Sequence, residues 1–60
     1  MIVTIEMQID DDDAQHVVAA LDRISDSVSE AGYEDGGFET VYDRDSHRVN
    51  YRIIRGYAGR

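Results

Sequence analysis

The chain has 60 residues, no cysteine and a net charge of −7. A chain of this length forms one domain, residues 1–60, and buries only about 60% of the surface that its unfolded form exposes. No disulfide or thiolate metal site can reinforce it, so a homodimer is a natural way to enlarge the core. The lack of cysteine also fits a reducing compartment.

Neither a membrane span nor a signal peptide is expected. No segment approaches the roughly 20 apolar residues that a membrane span needs. The apolar start of the chain, residues 1–6, has no basic residue before it, which argues against a signal peptide. We therefore expect a cytoplasmic protein.

Charge is unevenly distributed along the chain. Residues 1–40 hold eleven acids and one base, Arg23, whereas residues 41–60 hold two acids and five arginines. A strongly acidic surface repels nucleic acid and membranes and attracts basic proteins. The alternative is that the acids serve only solubility.

The first half of the chain predicts a strand followed by a helix. Residues 1–9 show the period of two that is typical of a half-buried strand. One face holds Met1, Val3, Ile5, Met7 and Ile9, and the other holds Ile2, Thr4, Glu6 and Gln8. Asp12 with Gln15 resembles a capping box, which starts a helix at about Asp13. Apolar residues then recur at three- and four-residue steps as far as Ala31, and Gly32 is the expected C-cap.

The second half predicts a β-hairpin after a loop at residues 33–37. The two strands are residues 38–43 and 48–55, with a two-residue turn at 45–46 and a loose tail at 56–60. This register places Phe38, Tyr42 and Tyr51 on the buried face, and opposite charges across the strands favour it over a one-residue slip. The expected pairs are Tyr42–Val49, Thr40–Tyr51, Phe38–Ile53, Asp43–Arg48 and Glu39–Arg52.

Together these elements predict an α+β fold, β-α-β-β, with a three-stranded antiparallel sheet of order 2-3-1. The third strand is placed in the centre because its apolar face is the strongest. One helix covers one face of the sheet, and the edge strands stay open to pairing with another chain. The expected residues of the open face are Ile2, Thr4, Glu6, Gln8, Val41, Asn50, Arg52 and Ile54.

No catalytic or metal-binding motif is found, so we expect a protein that is not an enzyme and needs no cofactor. Loops starting at Asp10 or Asp43 lack the glycine and the final glutamate of a calcium-binding EF-hand. Asp12 and His16 are one helical turn apart, but two ligands do not make a metal site. His47 has no partner visible in the sequence. The glycine pair at 36–37 matches no phosphate-binding loop.

Direct nucleic-acid binding is a weaker hypothesis. The central strand carries three arginines, Arg48, Arg52 and Arg55. However, sheets that bind single-stranded nucleic acid carry aromatic side chains on the open face. The predicted register buries those aromatics.

The acidic residues are the remaining feature. Asp22, Asp26 and Glu30 form a line along the helix with steps of about 6 Å, and an ordinary solvated helix face mixes both signs of charge. We therefore expect this set to contact a partner. Its members are Asp10, Asp11, Asp12, Asp13, Asp22, Asp26, Glu30, Glu34, Asp35 and Glu39.

On these ten residues the chain resembles the small phage-encoded inhibitors of host defence, which include anti-CRISPR proteins and DNA-mimic anti-restriction proteins. The resemblance is one of size and charge profile, without a shared motif. It implies a viral protein in the host cytoplasm whose carboxylates occupy an arginine- and lysine-lined groove meant for DNA or guide RNA.

The favoured hypothesis is thus a non-enzymatic inhibitor that engages a basic, nucleic-acid-handling partner. One alternative is a structural protein that forms a homodimer, or docks on a larger subunit, through the open sheet face and edge strands. Another is a housekeeping protein of a halophile that is acidic only for solubility.

Overall fold

The computed structural model describes residues 1–56. It contains strand β1 (Ile2–Gln8), helix α1 (Ala14–Ala31), strand β2 (Glu39–Tyr42) and strand β3 (Arg48–Gly56). The strands form one antiparallel sheet in the order β1-β3-β2, with α1 on one face. The α+β fold, the element order and the central position of β3 are as the sequence predicts. Gly56 belongs to β3 rather than to a tail, and the rest of the predicted tail, 57–60, lies outside the described residues.

Helix α1 begins one residue later than the predicted capping box. Asp13 is the N-cap, and its carboxylate accepts a hydrogen bond from the backbone N–H of Gln15. The assignment of that role to Asp12 is therefore wrong. Gly32 ends the helix as predicted, with φ of 72° and its N–H bonded to the carbonyl of Val28, because glycine enters this left-handed region without a Cβ clash.

The predicted hairpin register is wrong by one residue. β2 and β3 pair as Glu39–Tyr51, Thr40–Asn50, Val41–Val49 and Tyr42–Arg48. Val41 is consequently buried, whereas Phe38 and Tyr42 lie on the open face with exposed fractions of 54% and 58%. The expected charge pairs Asp43–Arg48 and Glu39–Arg52 do not form across the strands.

The connection between β2 and β3 explains the shift. Its loop has three residues rather than two, with Ser46 at a φ of 65°, and Asp43 pairs with His47 through a backbone bond of 3.0 Å. Three-residue hairpin loops commonly end in a left-handed residue of this kind. The carboxylate of Asp43 holds the loop by accepting the N–H groups of Asp45 and His47. A side-chain interaction within the loop thus sets the register.

The core lies between α1 and strands β2 and β3. Its buried residues are Ala20, Ile24, Val41, Val49, Tyr51 and Ile53. The helix leaves much of β1 uncovered. Val3 and Ile5 are on the face of the sheet that the helix packs against, yet they remain about half exposed. Within the part of the chain that the structure describes, no helix has the length and apolar character to cross a membrane.

Candidate functional site

Three carboxylates form a row on the outer surface of α1, here called the acidic row: Asp22, Asp26 and Glu30. All three are exposed, and within residues 1–56 none of them makes an ion pair or a side-chain hydrogen bond. Arg23, the basic residue of the helix, lines the same concavity as Asp22 and Asp26, but its Nε donates to the carbonyl of Tyr42 at 3.1 Å and it makes no ion pair with the row. The row therefore presents negative charge that no neighbouring arginine neutralises by contact.

Four other predicted partner-binding acids have structural roles. Each accepts a hydrogen bond that holds a loop, a helix end or a core side chain in place. The bonds run from Asp13 N to Asp11 Oδ1, from Gln15 N to Asp13 Oδ1, from Arg55 N to Asp35 Oδ1 and from Tyr51 Oη to Glu39 Oε2. These four carboxylates are fixed by the fold and are less available to a partner than the acidic row.

The last three predicted acids, Asp10, Asp12 and Glu34, lie in the segments that flank the helix. They are exposed, and they make no side-chain hydrogen bond within the described part of the chain. The structure thus brings together three of the ten predicted residues in one continuous row and distributes the other seven around the two ends of the helix and the sheet.

The open face of the sheet differs from the sequence prediction because of the register shift. Phe38 and Tyr42 are on this face, and the guanidinium of Arg52 lies 4.7 Å from the centre of the Phe38 ring. Arg52 also forms an ion pair of 2.9 Å with Glu6 on β1. The prediction that the aromatic side chains are buried is therefore wrong for Phe38 and Tyr42. Their burial no longer counts against nucleic-acid binding. The predicted pairing of Arg52 with Glu39 is wrong, because Arg52 pairs with Glu6.

A second uncovered surface lies between α1 and β1. It is an apolar groove of about 520 Å³ that includes Ile5, Leu21 and Val28. Leu21 is 42% exposed and Ile5 is 48% exposed, which is unusual for residues on the core side of a sheet and a helix. Its β1 wall is an edge strand, so backbone hydrogen-bonding groups are available beside the groove.

The structure also brings together two histidines that are far apart in the sequence. The rings of His16 and His47 are 5.1 Å apart between centres and meet edge to face. Nδ1 of His16 lies 3.1 Å from Asp11 Oδ2, and Nδ1 of His47 lies 3.5 Å from Asp43 Oδ2. These groups line a concavity of about 300 Å³. The acid next to His16 is Asp11, not Asp12 as its helical spacing indicated.

The two aspartates of this histidine cluster have lowered pKa values. The backbone N–H of His47 donates to Asp43 and is the main cause of its low pKa, with a smaller contribution from the Asp45 N–H. The backbone N–H of Asp13 lowers the pKa of Asp11 in the same way. Both carboxylates therefore remain ionised in mildly acidic solution and are suited to hold a cation.

The predicted topology contained the signal for this cluster. β1 and β2 run parallel to each other, so the segments that follow their carboxyl ends lie at the same edge of the sheet. His16 is in the first turn of the helix that follows β1, and His47 ends the loop that follows β2, directly before β3. Comparison of the chain with protein-family models, with curated proteins and with solved structures found no match.

Proposed function

We propose that the protein is a non-enzymatic interaction module whose acidic row docks on a basic surface of a nucleic-acid-handling protein. The observation that carries the proposal is that Asp22, Asp26 and Glu30 are exposed on one helix face and make no ion pair within residues 1–56. Three carboxylates on one helix face without a contacting base create a field that attracts cations.

The chemical class of the partner follows from the spacing of the row. Rungs about 6 Å apart on a straight helix resemble charges along a nucleic-acid backbone, which carries one phosphate per roughly 3.4 Å of each strand. A groove lined by arginine and lysine is the complementary surface. An inhibitor of the anti-CRISPR or anti-restriction type acts on such a groove, and this is the biological role that we propose.

The proposal is tested with two variants of equal charge. In D22N/D26N/E30Q the acidic row loses three charges without a change of side-chain size. In D10N/D12N/E34Q the same number of charges is lost from the exposed segments that flank the helix. Tagged wild-type protein and both variants are used to capture proteins from a nuclease-treated lysate of the cell that expresses the chain.

We expect the wild type and the flanking variant to capture the same basic protein, and the row variant to lose it. Capture by the row variant at the wild-type level would remove the acidic row as the site. Loss by both variants to the same degree would mean that net charge, rather than a defined face, drives the association.

A second candidate function is assembly through a homodimer, which the uncovered flank of β1 favours. Val3 and Ile5 lie on the core face of the sheet and are still 52% and 48% exposed. Antiparallel pairing of β1 with its copy would place Ile5 of the two chains near the same two-fold axis and cover both grooves. The acidic row lies on the outer face of the helix, so like charges need not meet.

This alternative has its own measurement. Sedimentation equilibrium of the wild type reports a dimer if the β1 flank is covered by a second copy, and Ile5→Lys reports a monomer. A wild type that stays monomeric at high micromolar concentration rules the homodimer out. The open-face change Ile2→Lys is the matched control, since Ile2 and Ile5 are on opposite faces of the same strand.

A further inference from the structure

We propose that His16, His47, Asp11 and Asp43 form a binding site for one zinc-class divalent cation. The site lies where the start of α1 meets the loop between β2 and β3. It is separate from the acidic row and does not depend on the proposed function.

The spacing within each histidine–aspartate pair is close to one edge of a tetrahedral site. Zinc lies about 2.0–2.2 Å from nitrogen and oxygen ligands, so neighbouring ligand atoms are roughly 3.3–3.5 Å apart. The two nitrogen–oxygen separations are 3.1 Å for His16 with Asp11 and 3.5 Å for His47 with Asp43. Each histidine therefore already stands beside its carboxylate at a distance close to that of two ligands on one ion.

The distance between the two rings is compatible with one shared ion. When two imidazoles bind one tetrahedral metal, their centres lie roughly 5 Å apart, because each centre is about 3.2 Å from the metal. The observed distance between the ring centres is 5.1 Å. Two histidines that are 31 positions apart in the sequence are thus close enough for one ion to join them.

The ring nitrogen Nδ1 of His16 faces the carboxylate of Asp11. Nδ1 is buried and makes no hydrogen bond within residues 1–56, although Asp11 Oδ2 is close. A buried nitrogen without a hydrogen-bond partner costs free energy. A metal ion in the concavity would use the lone pair of that nitrogen.

Asp43 supplies a prepared oxygen. The residue is 7% exposed, and its Oδ1 accepts the N–H groups of Asp45 and His47. Oδ2 is left to face the imidazole. Hydrogen bonds of this kind orient a carboxylate for a metal. Donor atoms of Asp43, Asp45 and His47 all lie within 4.8 Å of one another, so Asp45 is a further donor on the hairpin side. Among residues 1–56 these are the donor atoms that converge, and His16 and Asp11 must turn toward them to share the ion.

The donor set selects the class of ion. Imidazole with carboxylate suits zinc and its neighbours among the transition metals, whereas calcium and magnesium prefer sites made of oxygen alone. A bound ion would join the start of the helix to the hairpin loop. Since it binds the folded chain, it would stabilise a domain that is too small for a large core.

The test uses the full chain, purified without a polyhistidine tag and treated with a chelator. Zinc chloride is titrated by calorimetry near pH 7.5, and thermal unfolding is followed with and without zinc. Cobalt chloride is added in a parallel experiment, because four-coordinate cobalt has a characteristic visible absorption. The variants are His16→Gln, His47→Gln and, as a control outside the cluster, Asp12→Asn.

We expect one zinc per chain, a higher unfolding temperature with zinc, and a four-coordinate cobalt spectrum. Each histidine variant should bind about tenfold more weakly or worse, whereas Asp12→Asn should match the wild type. Absence of zinc binding by the wild type at millimolar concentration would overturn the proposal. So would wild-type affinity in both histidine variants, since the metal would then be bound by surface carboxylates alone.

Discussion

The hydroxyl of Tyr51 donates a hydrogen bond of 3.0 Å to Oε2 of Glu39. Tyr51 is only 1% exposed, and Oγ of Ser27 on the helix lies 3.1 Å from the same hydroxyl. The contact joins the central strand, the edge strand and the helix at one polar point inside the core. It also explains why Glu39, a predicted partner-binding residue, acts within the fold.

Tyr51→Phe should therefore destabilise the protein by about 1–3 kcal/mol, because Glu39 and Ser27 lose a bonding partner in a partly buried place. Urea unfolding followed by circular dichroism measures the change. Tyr42→Phe is the control: its exposed hydroxyl makes no hydrogen bond within residues 1–56, and its effect should stay within about 0.5 kcal/mol. Equal effects of the two changes would contradict the described core.

The shifted hairpin register gives a second test. Val41 is 9% exposed and Phe38 is 54% exposed, whereas the register predicted from sequence has the opposite arrangement. Val41→Ala should lower the free energy of unfolding by about 1–3 kcal/mol, because core packing is lost. Phe38→Ala should lower it by less, although a larger side chain is removed. If urea unfolding shows a larger loss of stability for Phe38→Ala than for Val41→Ala, the register predicted from charge pairing would be the correct one.

The start of the helix distinguishes two neighbouring aspartates. Asp13→Ala removes the N-cap bond to Gln15 and should cost about 0.5–2 kcal/mol. Asp12→Ala should change the free energy of unfolding by less than about 0.5 kcal/mol, since Asp12 makes no hydrogen bond in the described part of the chain. Thermal unfolding of the two variants at the same pH compares them directly, and a larger loss for Asp12→Ala would show that the cap is misplaced.

Asp43 predicts a pH dependence of stability. Its pKa is lowered in the folded state by the N–H groups that it accepts, so the unfolded chain binds a proton at higher pH than the folded chain does. The stabilisation is complete above the unfolded pKa of about 3.9 and is lost as the pH falls through the folded pKa. In urea unfolding, the difference between the wild type and Asp43→Asn should be largest near neutral pH and shrink below about pH 4. A difference that stays constant over this range would contradict the assignment.

Periodicity was sufficient to predict the elements and their order. The alternation over residues 1–9 and the apolar stripe of the helix report burial on a fixed face, and β3 takes the centre because Val49, Tyr51 and Ile53 need cover on that face. The register could not be obtained in this way. It depends on hydrogen bonds from Asp43 to its own loop and on a left-handed Ser46, and these interactions leave no periodic trace in the sequence.

The candidate site was predictable only in part. Helical spacing correctly places Asp22, Asp26 and Glu30 on one exposed face. Charge alone could not separate these residues from acids such as Asp13 and Asp35, whose carboxylates bind backbone N–H groups. The approach of His16 to His47 depends on the parallel direction of β1 and β2, which follows from the topology and not from any local motif.

The most direct test of the acidic row is elution of the captured partner by competing duplex DNA at fixed salt, followed by a salt gradient without DNA. If carboxylates of the row occupy a nucleic-acid groove, the DNA should release the partner at low salt, and moderate salt alone should also release it. A captured partner that withstands both DNA and salt would contradict the proposed mode of binding and would indicate contact through an apolar surface.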